Sequence, residues 1–545
     1  MDKKIRIFDS SLRDGAQGSG ISYSLDDKIK ITRQLDLLGV DYIEAGNPGS
    51  NLKDREYFEI LNRQSLKHAA LVAFGSTRRK DTAPEKDKNV GDLLTAKTSV
   101  VSIFGKSWDF HVKNVIVTTL EENIHMIRDT IQYFKRHNKE VIYDAEHFFD
   151  GFKANPSYAL ETLKAAYDAG ADCLVLCDTN GGTMPHELYE IVTSLIEQYR
   201  WKIGIHCHND MGMAVANSIL AVKAGSRHVQ GTFLGIGERC GNANLSTIIP
   251  SLQIKLGYHC IQDHMIEQLT SSARYIAEIS NLTLDNAMPY VGNNAFAHKG
   301  GMHIDGIMKA KGSFEHIDPI IVGNNRKFLM SEVSGKNTVI NMIKRIEPSI
   351  SKDSPETKAI VDLLKKQENE GFQFEGAEAS FELVIRKYLG RYKPFFRLEY
   401  YKIIEEETQG KDKACSASAL IKVMVNGKEE MTAAEGNGPV NAIDKAIRKA
   451  LEVFYGNLKD FHLADFKVRV LDGANTSAKV RVLIESTDGK DYWSTIGVST
   501  NIIEASVNAL VDSIEYKLIK DLENGGIKDG NDNDSKNSSG TCRIE

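Results

Sequence analysis

The segment Lys202–Asp210, KIGIHCHND, ends a short apolar run with two histidines, His206 and His208, that are separated by one residue. Such a run predicts a β-strand, and side chains two positions apart on a strand point to the same face. Both imidazoles can therefore reach one metal ion. The alternative is two hydrogen-bonded core histidines, and an isolated His-x-His pattern does not separate the two readings.

Two further segments favour the metal site over the pair of core histidines. Phe8–Gln17, FDSSLRDGAQ, follows the first predicted strand and supplies Asp14, while Gly235–Ala243, GIGERCGNA, follows a later strand. Asp14 with the two histidines is a mixed oxygen and nitrogen set, which suits a divalent transition metal or Mg²⁺ with open positions. Substrate would bind at those open positions.

The order of elements predicts how these residues meet. Eight short β-rich runs alternate with helical patterns between residues 5 and about 255, and parallel strands joined by right-handed crossover helices close into a (β/α)₈ TIM barrel. The alternative, a doubly wound open sheet, lacks its glycine-rich fingerprint after the first strand. The predicted strands are Ile5–Asp9, Tyr42–Ala45, Ala70–Phe74, Val100–Phe104, Val141–Ala145, Cys173–Cys177, Ile203–Cys207 and Val229–Phe233.

The polar residues that could do chemistry recur at the carboxyl ends of these strands, where active sites of such barrels lie. Scattered helix caps would not produce this alignment. In strand order they are Arg13 and Asp14, Glu44, Glu146, Asp178 and Thr179, His206 and His208, and Glu238 to Asn242.

Composition limits the classes of function. The 545 residues are 41% hydrophobic and 26% charged, which is ordinary for a globular protein of two or three domains. A net charge of -6 gives no electrostatic reason to expect nucleic acid or a membrane as partner. Seven cysteines without a Cys-x-x-Cys motif indicate reduced thiols, and no signal peptide or membrane-spanning run is evident. These features predict a cytoplasmic location.

Changes in residue composition and in the pattern of predicted elements divide the chain into four regions. They are a catalytic barrel at 1–275, helical linker subdomains at 276–375, an α+β domain at 376–522 and a polar, disordered tail at 523–545. Within the α+β region, Gly438–Ile447 echoes Val498–Val507, with Asn441 and Asn501 in register. Each copy places strands before an amphipathic helix, so we expect two halves that pack as a pseudo-symmetric unit.

Four motifs carry a resemblance to a known family, and the C-terminal half extends it over nearly the whole chain. The chain resembles the barrel acyltransferases that condense acetyl-CoA with 2-oxo acids, namely the isopropylmalate, homocitrate and citramalate synthases. The motifs are Asp9–Gly15, His206–Asp210, Gly235–Ala243 and Phe296–Gly306. Three further segments look most like the long-form citramalate synthases: Phe104–Val112, Tyr143–Gly151 and Glu315–Pro319.

The resemblance implies a role for each matching residue. Asp14, His206 and His208 would be metal ligands, with Asn242 as a weaker or water-mediated fourth. The other implied roles are Arg13 polarising the keto oxygen, Thr179 holding the substrate carboxylate, Glu44 at the substrate site pairing with Arg13 and orienting it, and Glu146 and His303 in acid and base steps. One departure is Phe314, which stands where the family usually has a tyrosine.

The implied reaction condenses acetyl-CoA with pyruvate and hydrolyses the thioester to give (R)-citramalate and CoA, the first step of a pyruvate route to isoleucine. The implied cofactor is Mn²⁺, Mg²⁺, Zn²⁺ or Co²⁺, and the implied assembly is a homodimer regulated by an amino acid, most plausibly isoleucine. Isopropylmalate or homocitrate synthesis stays open, because acceptor choice depends on a few pocket side chains. We expect bulky groups such as Phe104 or Tyr143 to lie beside the acceptor and to favour pyruvate over 2-oxoisovalerate. A metal-dependent carbon-carbon lyase of the same barrel superfamily is a further alternative, which the C-terminal repeat disfavours.

Overall fold

The computed structural model describes residues 3–49, 52–299, 301–328, 335–374, 376–405, 417–471, 478–489 and 491–525. The chain divides into two compact units. The barrel unit comprises Met1–Ala297 and Glu315–Lys327, and the C-terminal unit comprises His298–Phe314 and Phe328–Glu545. The bounds of the four predicted regions stay predictions. Most of the predicted tail lies outside the described residues.

Eight parallel strands form a closed barrel in chain order, so the predicted TIM barrel is confirmed. β1 closes the barrel by pairing with β8, with Ile7 opposite Val229. The strands are β1 (Arg6–Asp9), β2 (Tyr42–Glu44), β3 (Ala70–Ser76), β4 (Val100–Lys106), β5 (Glu140–Glu146), β6 (Cys173–Asp178), β7 (Ile203–Cys207) and β8 (His228–Gly231).

Helices cover the outside of the barrel, and α1 shows why they form where they do. Ser24 accepts a hydrogen bond from the Asp27 N–H and the Asp27 side chain accepts one from the Ser24 N–H, a capping box that starts the helix. Gly39, at φ 91°, ends it in the left-handed region. The helices of this unit are α1 (Leu25–Leu38), α2 (Leu52–Leu61), α3 (Lys88–Thr95), α4 (Asp109–Asn114), α5 (Leu120–Arg136), α6 (Phe148–Ala154), α7 (Pro156–Asp168), α8 (Pro185–Tyr199), α9 (Ala214–Ala224), α10 (Leu245–Pro250) and α11 (Leu269–Ile279).

The barrel unit has an outer and an inner apolar layer. The outer layer packs the strands against the helices and includes Ile103, Tyr143 and Cys207. The inner layer fills the barrel below the carboxyl ends of the strands, as in other barrels of eight strands. Its buried members are Phe8, Tyr42, Val72, Val100, Ile142, Val175 and Cys177.

The C-terminal unit contains two successive β-β-β-α segments. Two antiparallel sheets are each followed by a helix. The first sheet, β11 (Arg397–Glu405), β12 (Ala417–Val425) and β13 (Lys428–Gly436), precedes α16 (Pro439–Leu451), and the second, β14 (His462–Val470), β15 (Val480–Thr487) and β16 (Tyr492–Ser499), precedes α17 (Ile502–Glu523). The two halves share one core, in which Ile421 and Ile447 pack with Ile484 and Ile514. The sequence repeat therefore corresponds to two halves with the same order of elements.

Among the described residues, none of the helices combines the length and the apolar composition that a membrane-spanning helix needs. The remaining elements complete the described part of the chain. They are β9 (Ala297–His298), α12 (Gly301–Lys309), β10 (Lys327–Phe328), α13 (Gly335–Ile346), α14 (Pro355–Asn369) and α15 (Glu378–Tyr388).

Candidate active site

Asp14, His206 and His208 meet at the carboxyl end of the barrel. Asp14 lies in the turn after β1, while His206 is on β7 and His208 follows that strand directly. Their candidate ligand atoms all lie within 4.8 Å of one another. Asp14 Oδ2 is 3.4 Å from His206 Nε2 and 3.9 Å from His208 Nε2. The structure thus brings together the three residues that the sequence predicts as metal ligands.

Unpaired polar atoms at this group fit a cation. Among the described residues, Asp14 Oδ1, His208 Nδ1 and Asn242 Oδ1 are buried without a hydrogen-bond partner. Asn242 donates from Nδ2 to the Ile236 carbonyl at 3.1 Å, which leaves its oxygen as an available acceptor. Buried polar atoms normally have partners, so this cluster of oxygen and nitrogen acceptors is suited to a divalent metal ion.

The ionisation states also suit metal binding. Burial alone would raise the pKa of Asp14, but Arg13 and the two histidines hold that pKa well below its usual range. Burial, followed by the neighbouring His206, lowers the pKa of His208 to about 3. The group therefore offers a carboxylate and a neutral imidazole, the forms that bind metals.

Arg13 is fixed on three sides. Its Nε donates to Glu44 Oε2 at 2.7 Å, its Nη1 lies 3.2 Å from Asp14 Oδ2, and its guanidinium carbon lies 3.8 Å from the centre of the Phe74 ring. Glu44 is fully buried and also accepts a hydrogen bond from the Ser10 hydroxyl. A cation held in this way is preorganised to face developing negative charge.

These residues line a cavity of about 220 Å³. Of the predicted site residues, Arg13, Asp14, Glu146, Thr179, His206 and His208 line it. Glu44 and Asn242 are buried behind this lining. The remaining lining residues are Gln17, Phe74, Phe104, Asp144, Cys177 and Glu238.

Thr179 and Glu146 each contact a residue of a neighbouring strand-and-helix unit of the barrel. The backbone N–H of His147 donates to Thr179 Oγ1 at 2.9 Å, so the Thr179 hydroxyl hydrogen is available to donate to another acceptor. Glu146 forms an ion pair with Lys106. Both residues line the cavity, and their roles toward substrate stay predictions.

The predicted acid or base His303 lies on α12, in the C-terminal unit. Its side chain is exposed, and its ring stacks on Phe314 with centroids 4.3 Å apart and planes at 22°. Phe314 stands where the resemblance implies a tyrosine, and the contact places this phenyl ring directly on the imidazole. The role of His303 stays a prediction.

The expectation that Tyr143 lines the acceptor pocket is wrong. Tyr143 is fully buried in the outer layer, where its hydroxyl lies 3.5 Å from Ser107 Oγ. Glu146 on the same strand faces the cavity, and the two-residue period of β5 then turns Asp144 inward and Tyr143 outward. Phe74 lines the cavity instead and stacks on Phe104, with ring centroids 5.2 Å apart.

Sequence reasoning also missed Gln230 and Asp144. Gln230 Oε1 lies 3.0 Å from His206 Nδ1, and Gln230 Nε2 donates to Asp144 Oδ1 at 2.9 Å. Burial raises the pKa of Asp144 to about 6. Both are polar residues in otherwise apolar strands, which is a usable signal, but their contact joins β5 to β8 and depends on the closed barrel.

A closed parallel barrel with an Asp-His-His group and a fixed arginine at its carboxyl end is the arrangement of a metal-dependent barrel enzyme. Three family models match in series: HMGL-like at residues 4–274, homocitrate synthase post-HMGL domain-like at 290–371, and the LeuA allosteric (dimerisation) domain at 375–518.

Full-length relatives narrow the family. The chain is 51% identical to an (R)-citramalate synthase of Aquifex aeolicus, covering 96% of this chain and 100% of that protein. It is 49% identical to one of Geobacter sulfurreducens, covering 96% and 99%. A Methanosarcina acetivorans protein named "Probable 2-isopropylmalate synthase" is 31% identical, covering 95% and 96%. The chain belongs to the (R)-citramalate synthase family.

Proposed function

We propose that this chain is an acyltransferase that condenses acetyl-CoA with pyruvate and hydrolyses the thioester to give (R)-citramalate and CoA. The observation that carries the proposal is a single cavity that combines the Asp14, His206 and His208 group with Arg13 and two phenyl rings. The first two features suit a 2-oxo acid, and the rings limit its size.

The acceptor would bind between the metal group and Arg13. A divalent ion held by Asp14, His206 and His208, with Asn242 as a further oxygen, supplies a Lewis acid and a template for the 2-oxo acid when bound. Arg13 would stabilise the alkoxide that develops on the keto oxygen, because Glu44 and Phe74 already hold its guanidinium in place. Thr179 would donate its hydroxyl hydrogen to the acceptor carboxylate.

The acetyl group needs a base close to its methyl carbon. Glu146 lines the cavity beside Lys106 and is the candidate within the barrel unit. His303 is the second candidate, because the family resemblance assigns a catalytic histidine to this segment. We propose that these two residues carry the acid and base steps of condensation and hydrolysis.

Phe74 and Phe104 would set the acceptor size. The two stacked rings line the cavity next to Arg13, so the branched carbons of 2-oxoisovalerate would clash with them. A misfit of one or two methylenes is worth roughly 1–3 kcal/mol in an apolar pocket. Pyruvate should therefore be preferred by at least about tenfold in kcat/KM.

The test is product analysis with acetyl-CoA and a panel of 2-oxo acids, with CoA release followed for each. Citramalate formed with pyruvate as the best acceptor is the expected result. Equal or better use of 2-oxoisovalerate would reassign the chain to isopropylmalate synthesis, and preference for 2-oxoglutarate would reassign it to homocitrate synthesis. Cleavage of a 3-hydroxyacyl-CoA without condensation would identify a lyase.

The C-terminal unit would provide assembly and regulation. We propose a cytoplasmic homodimer in which this unit binds isoleucine as an end-product inhibitor. The match to an allosteric and dimerisation domain and the two β-β-β-α halves support this proposal. The metal would be Mn²⁺, Mg²⁺, Zn²⁺ or Co²⁺, because all four accept the mixed ligand set.

A further inference from the structure

A chain of buried hydrogen bonds connects β4, β5 and β8 to the metal group across the barrel interior. The Ser102 hydroxyl donates to Asp144 Oδ2 at 2.6 Å, and Asp144 Oδ1 accepts from Gln230 Nε2 at 2.9 Å. Gln230 Oε1 then faces His206 Nδ1 at 3.0 Å. Ser102 and Gln230 are fully buried, so water does not compete for these bonds.

The direction of each bond follows from the ionised form of Asp144. An ionised carboxylate only accepts hydrogen bonds, so Asp144 must face the NH₂ group of Gln230. The amide oxygen of Gln230 is then turned to His206, and it too can only accept. His206 must therefore carry a hydrogen on Nδ1, so in the neutral ring the lone pair lies on Nε2, on the side of Asp14.

We propose that Asp144 and Gln230 are positioning residues that fix His206 in the Nδ1–H tautomer required for binding the metal ion through Nε2. This inference rests on the proposed metal site. A partner at the second ring nitrogen generally fixes the tautomer and orientation of a metal-binding histidine, and its loss typically weakens metal binding by about 10- to 100-fold. Asp144 acts one step further away, by fixing which end of the Gln230 amide faces the ring.

The first test is Gln230→Met, which keeps a similar length but removes the acceptor. Mn²⁺ binding to the full-length, chelator-stripped protein would be measured by calorimetry without acetyl-CoA or acceptor. We expect binding at least about tenfold weaker than in the unaltered protein. Unchanged affinity in a folded Gln230→Met protein would overturn the proposal.

A paired exchange separates this role from simple packing. Asp144→Asn with Gln230→Glu reverses donor and acceptor between the two positions but still presents an acceptor to His206 Nδ1. We expect the double variant to bind Mn²⁺ within about threefold of the unaltered protein, whereas Gln230→Met stays weak. Equal weakening in both would assign the two residues to packing and would contradict the proposal.

The matched control is Gln253→Met, the same exchange at the opposite end of the barrel. Gln253 Oε1 accepts from the Cys260 and Ile261 N–H groups, next to the point where the His259 carbonyl accepts from Ile5 at the start of the barrel. This variant should bind Mn²⁺ like the unaltered protein.

A measurement without any substitution keeps the proposal testable if the variants fail to fold. The ring nitrogen shifts of His206 in metal-free protein labelled with ¹⁵N-histidine, measured at a pH high enough for the ring to be neutral, should report the Nδ1–H tautomer. A His206 found as the Nε2–H tautomer would overturn the inference. Neither the Mn²⁺ binding measurements nor the nitrogen shifts depend on turnover. If they contradict the positioning role, the proposed acetyl transfer is still judged separately, by product analysis.

Discussion

One oxygen atom of Asp14 faces three nitrogen atoms, while its other oxygen faces none. Oδ2 lies 3.2 Å from Arg13, 3.4 Å from His206 and 3.9 Å from His208, whereas Oδ1 is buried without a partner among the described residues. Oδ1 is therefore the Asp14 atom that stays available to a cation, while Oδ2 contacts Arg13. The carboxylate thus connects the arginine to the metal group.

The first prediction at this scale concerns His208→Ala. Removing this imidazole takes away one of three ligands, so we expect loss of bound metal and of turnover in a barrel that stays folded. Metal analysis, circular dichroism and CoA release would be measured together. His125→Ala, on the outside of α5, is the matched control and should keep both properties. A His208→Ala protein that retains its metal and its rate would refute the ligand assignment.

The second prediction separates the two aromatic residues that the sequence places near the acceptor. Phe104→Ala enlarges the cavity beside Phe74, so the preference for pyruvate over 2-oxoisovalerate in kcat/KM should fall by at least about threefold, a part of the 1–3 kcal/mol of methylene discrimination. Tyr143→Phe alters a side chain of the outer layer and should leave that ratio unchanged. An altered ratio in Tyr143→Phe alone would reverse our reading of the pocket.

At the scale of elements, three consecutive strands each direct two residues into the cavity with the two-residue period of a β-strand. The pairs are Asp144 and Glu146, Cys177 and Thr179, and His206 and His208. This period is local, so the sequence predicts all eight strands and places the metal group at their carboxyl ends. The same period, applied from Glu146, excludes Tyr143 from the cavity.

Contacts between strands could not be predicted from the sequence and are known only from the folded chain. Gln230 contacts His206 because β7 and β8 are neighbours, and it contacts Asp144 because the barrel closes, neither of which is a local property of the sequence. The contact of Arg13 with Phe74 likewise joins the turn after β1 to β3 across a long separation in the chain. Sequence patterns therefore indicate which residues can do chemistry, whereas the positioning residues emerge only from topology.

The third prediction concerns the contact between α17 and the segment that leads into β11. Glu515, on α17, is buried and accepts hydrogen bonds from the Phe395 and Phe396 N–H groups at 3.0 and 3.3 Å. Burial raises its pKa to about 7 from the ordinary value of 4.5. The folded state therefore binds the proton more tightly than the unfolded state, so the stability that Glu515 contributes is greatest below pH 4.5 and is lost as the pH rises through about 7, where the buried carboxyl group ionises.

Glu515→Gln removes the charge and keeps one acceptor oxygen. We expect the unaltered protein to lose on the order of 2–3 kcal/mol of local stability between pH 4.5 and 8, and Glu515→Gln to lose much less. Hydrogen exchange of peptides covering residues 395–405, corrected for the intrinsic pH effect, measures this. Glu523→Gln, at the exposed end of α17, is the control. Identical pH profiles for the unaltered protein and Glu515→Gln would show that Glu515 does not titrate in this range.

At the scale of the molecule, the match to the LeuA allosteric (dimerisation) domain begins at residue 375, but the hydrophobic core does not divide there. One apolar cluster joins Ile343 of α13 and Leu364 of α14 to Phe381 of α15 and Ile496 of β16. Truncation after Phe374 would therefore remove the proposed regulatory domain and also expose the apolar faces of α13 and α14. Each large side chain so exposed costs roughly 1.5–3 kcal/mol.

The fourth prediction takes this shared cluster into account. The truncated chain should lose inhibition by isoleucine and the dimeric mass, because an effector inhibits only by binding the less active state preferentially, with a coupling of about 1–3 kcal/mol. Ile496→Ala in the full-length chain weakens the same cluster and keeps the domain, so it should stay dimeric and inhibited. CoA release with millimolar isoleucine and light scattering would be measured on both. A full-length chain that responds to neither isoleucine nor leucine would leave the domain with a role in dimerisation alone.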